Sequence, residues 1–144
     1  MKWILLTNAA ATLMMTGLIW FVQIVHYPLF GQVGKSGFAL YEASHSSLTT
    51  LVVMPLMLIE LLTAFLLVAQ KPVDASAFWL VAGLLLIGVI WLATFFLSVP
   101  QHNILSRGFD EQAHRTLVLT NWIRTVAWSA RSLILLFLLA RTIK

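Results

Sequence analysis

The sequence contains no cysteine, which excludes disulfide bonds, thiolate metal sites and thiol catalysis. It is also poor in charge, because Asp, Glu, Lys and Arg make up 10% of its residues, against about a quarter in an ordinary soluble domain. Hydrophobic residues make up 60% of the 144 positions. A soluble fold of this size would lack the polar surface to cover so much apolar side chain. The composition therefore predicts an integral membrane protein.

Four long apolar stretches account for the excess of hydrophobic residues. The predicted spans cover about 3–27, 47–70, 77–99 and 116–140. Each is long enough for a helix to cross a hydrocarbon core of about 30 Å, and none shows the alternation of a barrel strand. The first run also continues beyond the length of a signal-peptide core, which favours a retained span. We predict an all-α integral membrane four-helix bundle, a single transmembrane domain over 1–144.

The basic residues indicate how the bundle is oriented. Four flank one side of the predicted bundle and three flank the other: Lys2, Lys71, Arg141 and Lys144 against Lys35, Arg107 and Arg115. Lys and Arg are enriched in cytoplasmic segments, so both termini are predicted to face the cytoplasm of a multi-pass bacterial inner (plasma) membrane protein. The positive charges are scattered, so the net charge of +4 does not indicate nucleic acid binding.

The two halves of the sequence share an order of marker residues. The first half has Trp20, Pro28, Gly37, Phe38, Glu42 and His45, and the second has Trp91, Pro100, Gly108, Phe109, Glu111 and His114. This order predicts two tandem helix hairpins related by a parallel repeat, with chance similarity of short apolar helices as the alternative. Pro28 and Pro100 mark the predicted membrane exits of the first and third spans. The short connection over 71–76 makes the second and third spans antiparallel neighbours.

All four histidines are predicted to lie near one membrane face, the external one. His45 and His114 each follow a glutamate by three residues, which places each pair on one helix face. Two Glu-x-x-His pairs in a four-helix bundle are the pattern of di-iron and di-manganese carboxylate proteins. The predicted metal or cofactor site consists of His26, Glu42, His45, His102, Glu111 and His114. Imidazole and carboxylate ligands suit a transition metal such as iron, copper or zinc.

Two alternatives to a metal ion stay open at this point. The first is haem, with His26 or His45 paired with His102 across the bundle. The second is the absence of any site, because polar residues gather at membrane interfaces. In that case each glutamate serves the start of a helix, where negative charge is favoured by the helix dipole.

Three ionisable residues lie inside the predicted spans: Glu60, Arg124 and Arg131. At a rise of about 1.5 Å per residue, the depth of Glu60 falls between those of the two arginines. An ion pair of Glu60 with at least one of them is therefore predicted between the second and fourth spans. Asn121 lies on the same helix face as the arginines and completes a predicted buried polar network. Such a network serves only to hold helices together, or Arg124 binds an anionic or quinone-like ligand.

Three short segments resemble those of other proteins, and two of them carry a resemblance to a known family. The sequence VPQHNIL over 99–105, followed by NWIRT over 121–125, resembles the small four-helix membrane proteins of the anthrone-oxygenase-like family. The element HYPLF over 26–30 is similar to one in bacterial membrane proteins of this size. The resemblance implies an oxidative step on a lipophilic aromatic substrate.

These features predict a membrane-embedded redox protein, or a cofactor- or metal-binding one, that acts on a lipophilic small molecule such as a quinone. Its site is expected at the external end of the bundle. The alternatives are a non-catalytic accessory subunit of a larger membrane complex and a small-solute transporter. The sequence leaves open whether the chain forms a homo-oligomer or joins a larger complex.

Overall fold

The computed structural model describes residues 1–71 and 76–142, and four long helices make up most of both segments. They are α1 (Lys2–Gln32), α2 (Phe38–Gln70), α3 (Ala77–Leu105) and α4 (Glu111–Thr142). All four are long and apolar enough to cross a membrane. The predicted all-α integral membrane four-helix bundle is confirmed. Most of the predicted connection over 71–76, and Lys144, lie outside the described residues.

The bundle is apolar outside and partly polar inside. Large hydrophobic side chains face outward at mid-helix, with Leu51 70%, Leu85 67% and Leu133 69% exposed. The buried polar and charged residues are Asn8, Thr12, Gln23, Glu42, His45, Glu60, Ser98, Asn121, Arg124, Thr125, Arg131 and Ser132. Lipid offers these groups no hydrogen-bond partner, so the helices turn them toward one another.

The helices are longer than the spans predicted from the sequence. α2 begins at Phe38 rather than near 47, and α4 begins at Glu111 rather than near 116. Hydropathy measures the stretch that matches the hydrocarbon core, whereas the helices continue through the polar residues on either side. Glu42 and His45 consequently lie within the second and third turns of a helix, where their orientation is fixed.

Pro28 and Pro100, predicted to mark membrane exits, lie inside their helices, which continue to Gln32 and Leu105. Each follows a five-residue π-helical turn, Val22–His26 in α1 and Thr94–Ser98 in α3. A proline has no N–H to donate to the preceding turn, and the wider turn accommodates that loss while the helix continues. π turns of this kind are frequent at functional sites. Their matching positions agree with the predicted repeat, although the duplication itself stays a prediction.

Candidate metal centre

Three of the predicted site residues converge at one end of the bundle. Glu42 and His45 lie on the inner face of α2, and His102 lies on α3. One ligand atom from each residue lies within 4.8 Å of the other two. Glu42 is completely buried, and His45 is 9% exposed. The group therefore combines one carboxylate and two imidazoles at a position that is largely shielded from solvent.

The Glu42 carboxylate has one engaged oxygen and one free oxygen. Oε1 accepts hydrogen bonds from Nδ1 of His102 at 2.5 Å and from Oγ of Ser46 at 3.0 Å. Oε2 is buried and has no hydrogen-bond partner among the described residues. An acceptor left unsatisfied inside a protein is costly and calls for an explanation such as an ion. A cation beside Oε2 would also balance the buried negative charge.

The two imidazoles of the triad are held by neighbouring side chains. Nδ1 of His45 lies 2.7 Å from Nε2 of His26 and 3.2 Å from Oγ1 of Thr49. Nε2 of His102 lies 3.0 Å from the Tyr27 hydroxyl. An ion shared with Glu42 would be bound by Nδ1 of His102, the nitrogen that faces the carboxylate, with Nε2–H donating to the Tyr27 hydroxyl. His45 would donate from Nδ1 to His26 and bind the ion through Nε2. Both rings then have the neutral form in which imidazole binds metals.

Haem does not fit between these histidines. The rings of His45 and His102 stack with centroids 5.4 Å apart and planes 28° apart, which leaves no gap for a macrocycle. Nε2 of His26 lies against His45, so His26 is not placed opposite His102 either. The geometry suits a single ion.

Glu111 and His114, also predicted for the site, are not part of the triad. Glu111 is exposed in the first turn of α4, which Asp110 caps by accepting a hydrogen bond from the backbone N–H of Ala113 at 2.7 Å. At this position a glutamate points toward water and interacts with the helix dipole. Nε2 of His114 donates to the carbonyl oxygen of Tyr27 at 2.7 Å. The helix-start interpretation therefore holds for this second Glu-x-x-His pair.

Tyr27 contacts the triad but was not among the site residues predicted from the sequence. It is 4% exposed, and its hydroxyl contacts His102 while its carbonyl accepts from His114. The one sequence feature that could have indicated its role is its position between His26 and Pro28, at the end of a predicted span. A tyrosine there is usually an interfacial anchor, which is why the pattern did not reveal a buried one.

Deeper in the bundle, the predicted ion pair involves Arg131. Its Nε lies 2.9 Å from Oε1 of Glu60, and both side chains are 2% exposed. Trp128 donates to the other oxygen of Glu60 at 3.0 Å, and Thr12 donates to Oε1. Every polar group of this cluster has a partner, so it is suited to holding helices together rather than to binding a ligand.

Arg124 belongs to a different environment, together with Asn121. Nη1 of Arg124 donates to Oγ of Ser98 at 3.1 Å and to Oδ1 of Asn121 at 3.3 Å. Nδ2 of Asn121 donates in turn to Oε1 of Gln23 at 2.9 Å. The predicted network of four residues therefore forms two hydrogen-bonded clusters, because Glu60 reaches only one of the arginines, and Trp128 lies between them.

A cavity of about 290 Å³ extends from the two histidines of the triad to Arg124. Its polar lining comes from Tyr27, His45, Ser46, Thr49, Thr50, Thr94, Ser98, His102, Asn103 and Arg124, and the other lining residues are apolar. This is the usual character of a site for a small organic molecule, apolar with a few directed polar groups.

Comparison of the chain with protein-family models, with curated proteins and with solved structures finds no match. The resemblance to the anthrone-oxygenase-like family stays a prediction.

Proposed function

We propose that this chain is a membrane-embedded metal protein that performs redox chemistry on a lipophilic small molecule. Glu42, His45 and His102 would hold a divalent transition-metal ion at one end of the bundle. The observation that carries the proposal is the free Oε2 of the buried Glu42 carboxylate beside two imidazoles. Two histidines and one carboxylate with open coordination positions are the ligand set of non-haem Fe(II) oxygenases, so iron is the favoured ion.

The surrounding residues support this assignment. His26 and Tyr27 contact the triad imidazoles, as the outer partners of metal-binding histidines usually do. A bound iron would supply the electron transfer, and the chain would supply the oriented ligands and a cavity largely shielded from water. The cavity's apolar wall favours a lipophilic substrate, which is also what the anthrone-oxygenase-like resemblance implies.

The proposed location is the bacterial inner membrane, with both termini in the cytoplasm. Lys2 and Arg141 lie at the end of the bundle opposite the triad, and the sequence has four basic residues flanking that end against three at the other, which favours the cytoplasm for it under the positive-inside rule. The metal centre would then lie at the external end.

The test is metal analysis of the purified protein in detergent. The metal-free chain is reconstituted with Fe(II) or Zn(II) under exclusion of air, and bound metal is counted after desalting. Glu42→Gln, His45→Asn and His102→Asn should each remove most of the bound metal. Glu111→Gln and His114→Asn are the matched controls, because they change the same residue types outside the triad, and both should keep it.

A wild-type chain that binds neither metal would contradict the proposal. So would equal loss of metal from the control variants and the triad variants. Either result would favour the accessory-subunit hypothesis instead.

A further inference from the structure

Arg124 is a buried cation that lacks a counter-ion in the described part of the chain. It is 6% exposed, and the two ion pairs among residues 1–71 and 76–142 involve His102 and Arg131 instead. Its Nε is buried and has no hydrogen-bond partner among these described residues. A guanidinium stays protonated in proteins, and a charge inside a membrane span normally has a partner or marks a functional site.

Arg131 shows what a structural arginine looks like in the same helix. Its Nε meets Glu60, its Nη1 donates to the carbonyl oxygen of Gly83 at 2.6 Å, and its Nη2 donates to Oδ1 of Asn8 at 2.8 Å. All three nitrogens are engaged. Arg124 has neutral hydrogen-bond acceptors for Nη1 only, its guanidinium carbon lies 5.3 Å from the centre of the Trp128 ring, and it lines a cavity. The difference indicates that Arg124 is arranged to meet something other than its own chain.

The cavity that Arg124 lines opens toward lipid between α2 and α3. Its wall includes Met54 of α2 and Phe95 and Val99 of α3, which are 37%, 52% and 39% exposed on the outer surface. A molecule with an apolar tail could therefore enter from the bilayer. Its polar end would lie between Arg124 and the triad.

We propose that the cavity binds a lipophilic monocarboxylate, with its carboxylate on Arg124 and its chain leading out between α2 and α3. A carboxylate has the planar pair of oxygens that a guanidinium fork binds best, and its single negative charge compensates Arg124. The Tyr27 and Ser98 hydroxyls in the same wall are further donors. The proposal names the substrate class of the proposed redox site, but the binding itself needs no metal.

The experiment measures ligand binding to the metal-free protein. The probe is cis-parinarate, a fluorescent polyene fatty acid. Its fluorescence in protein-free micelles is subtracted, and the part of the signal that excess oleate displaces is taken as specific binding. Loss of one charged hydrogen-bond partner corresponds to about a 10- to 100-fold weaker affinity. We expect a loss of that size for parinarate methyl ester on the wild type and for parinarate on Arg124→Gln. Arg124→Lys keeps the positive charge but lacks the planar guanidinium fork. Its affinity for parinarate should therefore lie between that of the wild type and that of Arg124→Gln.

Arg115→Gln is the matched control, because Arg115 is an exposed arginine of the same helix, and it should bind as the wild type does. The acid-against-ester comparison on the wild type needs no variant, so misfolding of Arg124→Gln cannot obscure the answer. Equal affinity for acid and ester, displacement by a neutral quinone but not by oleate, or no saturable binding would each overturn the proposal.

The two proposals fail separately. Carboxylate binding without metal uptake would leave the cavity assignment standing and remove the metal centre. Metal uptake without carboxylate binding would keep the centre and exclude this substrate class.

Discussion

Asn8 on α1 and Arg131 on α4 are hydrogen-bonded across the bundle, with Nη2 of Arg131 donating to Oδ1 of Asn8 over 2.8 Å. Nδ2 of Asn8 donates to the carbonyl oxygen of Glu60 on α2 at 2.9 Å, and Arg131 also reaches Gly83 on α3. One guanidinium thus connects all four helices. This cluster therefore fixes the four helices to one another at one depth of the bundle.

The first prediction concerns the carboxylate of that cluster. Glu60→Gln removes the charge that compensates Arg131, and an unpaired buried charge typically costs about 3–5 kcal/mol. Glu111→Gln changes an exposed residue and should leave stability nearly unchanged. Thermal unfolding in the same detergent should show a distinctly lower midpoint for Glu60→Gln. Equal midpoints would show that the ion pair does not stabilise the fold.

The second prediction uses two glycines of α3. A Cβ on Gly83 would come within 3.0 Å of Nη1 of Arg131, whereas one on Gly88 would meet nothing within 4 Å. Arg131 is held by hydrogen bonds on every nitrogen and cannot yield easily, so Gly83→Ala should destabilise the protein by about 1–3 kcal/mol, as overpacking does. Gly88→Ala should be neutral or stabilising by up to about 1 kcal/mol, since alanine favours helix. The measurement is the thermal unfolding midpoint of the two variants. A higher midpoint for Gly83→Ala than for Gly88→Ala would contradict the prediction.

Helix positions were largely predictable from the sequence, but the ends were not. Four apolar runs longer than a membrane span have few alternatives to helices. Hydropathy falls at Glu42 and His45, yet the backbone stays helical there because α2 buries both side chains against α3. Pro28 was predicted to mark the end of a span, and the continuation of the helix beyond it was not predictable, since a π turn that accommodates a proline leaves no mark in composition.

The candidate site was only half predictable. Glu-x-x-His spacing identified Glu42 and His45 as neighbours, but it is equally present in Glu111 and His114. The two pairs differ because Asp110 caps α4 immediately before Glu111, which places Glu111 in the first turn of the helix. The three-residue spacing alone does not predict this difference. Helical depth placed Glu60 between the two arginines, but it could not tell which of them Glu60 would meet.

The third prediction concerns topology. Lys2 and Arg141 lie at the end of the bundle opposite the triad, so a reporter enzyme that is active only after export should be inactive when fused after the C-terminus. The same reporter fused after Arg107, in the connection between α3 and α4, should be active. An active C-terminal fusion would reverse the orientation and place the triad end in the cytoplasm.

The fourth prediction separates a ligand from a residue that orients it. His26 contacts Nδ1 of His45 at 2.7 Å and lies outside the convergent triad. Loss of such an outer partner typically lowers metal affinity about 10- to 100-fold without removing the site. His26→Asn should therefore still bind metal at a saturating metal concentration. A weaker chelator should be enough to remove the metal from this variant than from the wild type. His45→Asn should bind little metal at any concentration tested, and His114→Asn should match the wild type. If His26→Asn and His45→Asn lose metal equally, then His26 is itself a ligand, and the centre has three imidazoles rather than two.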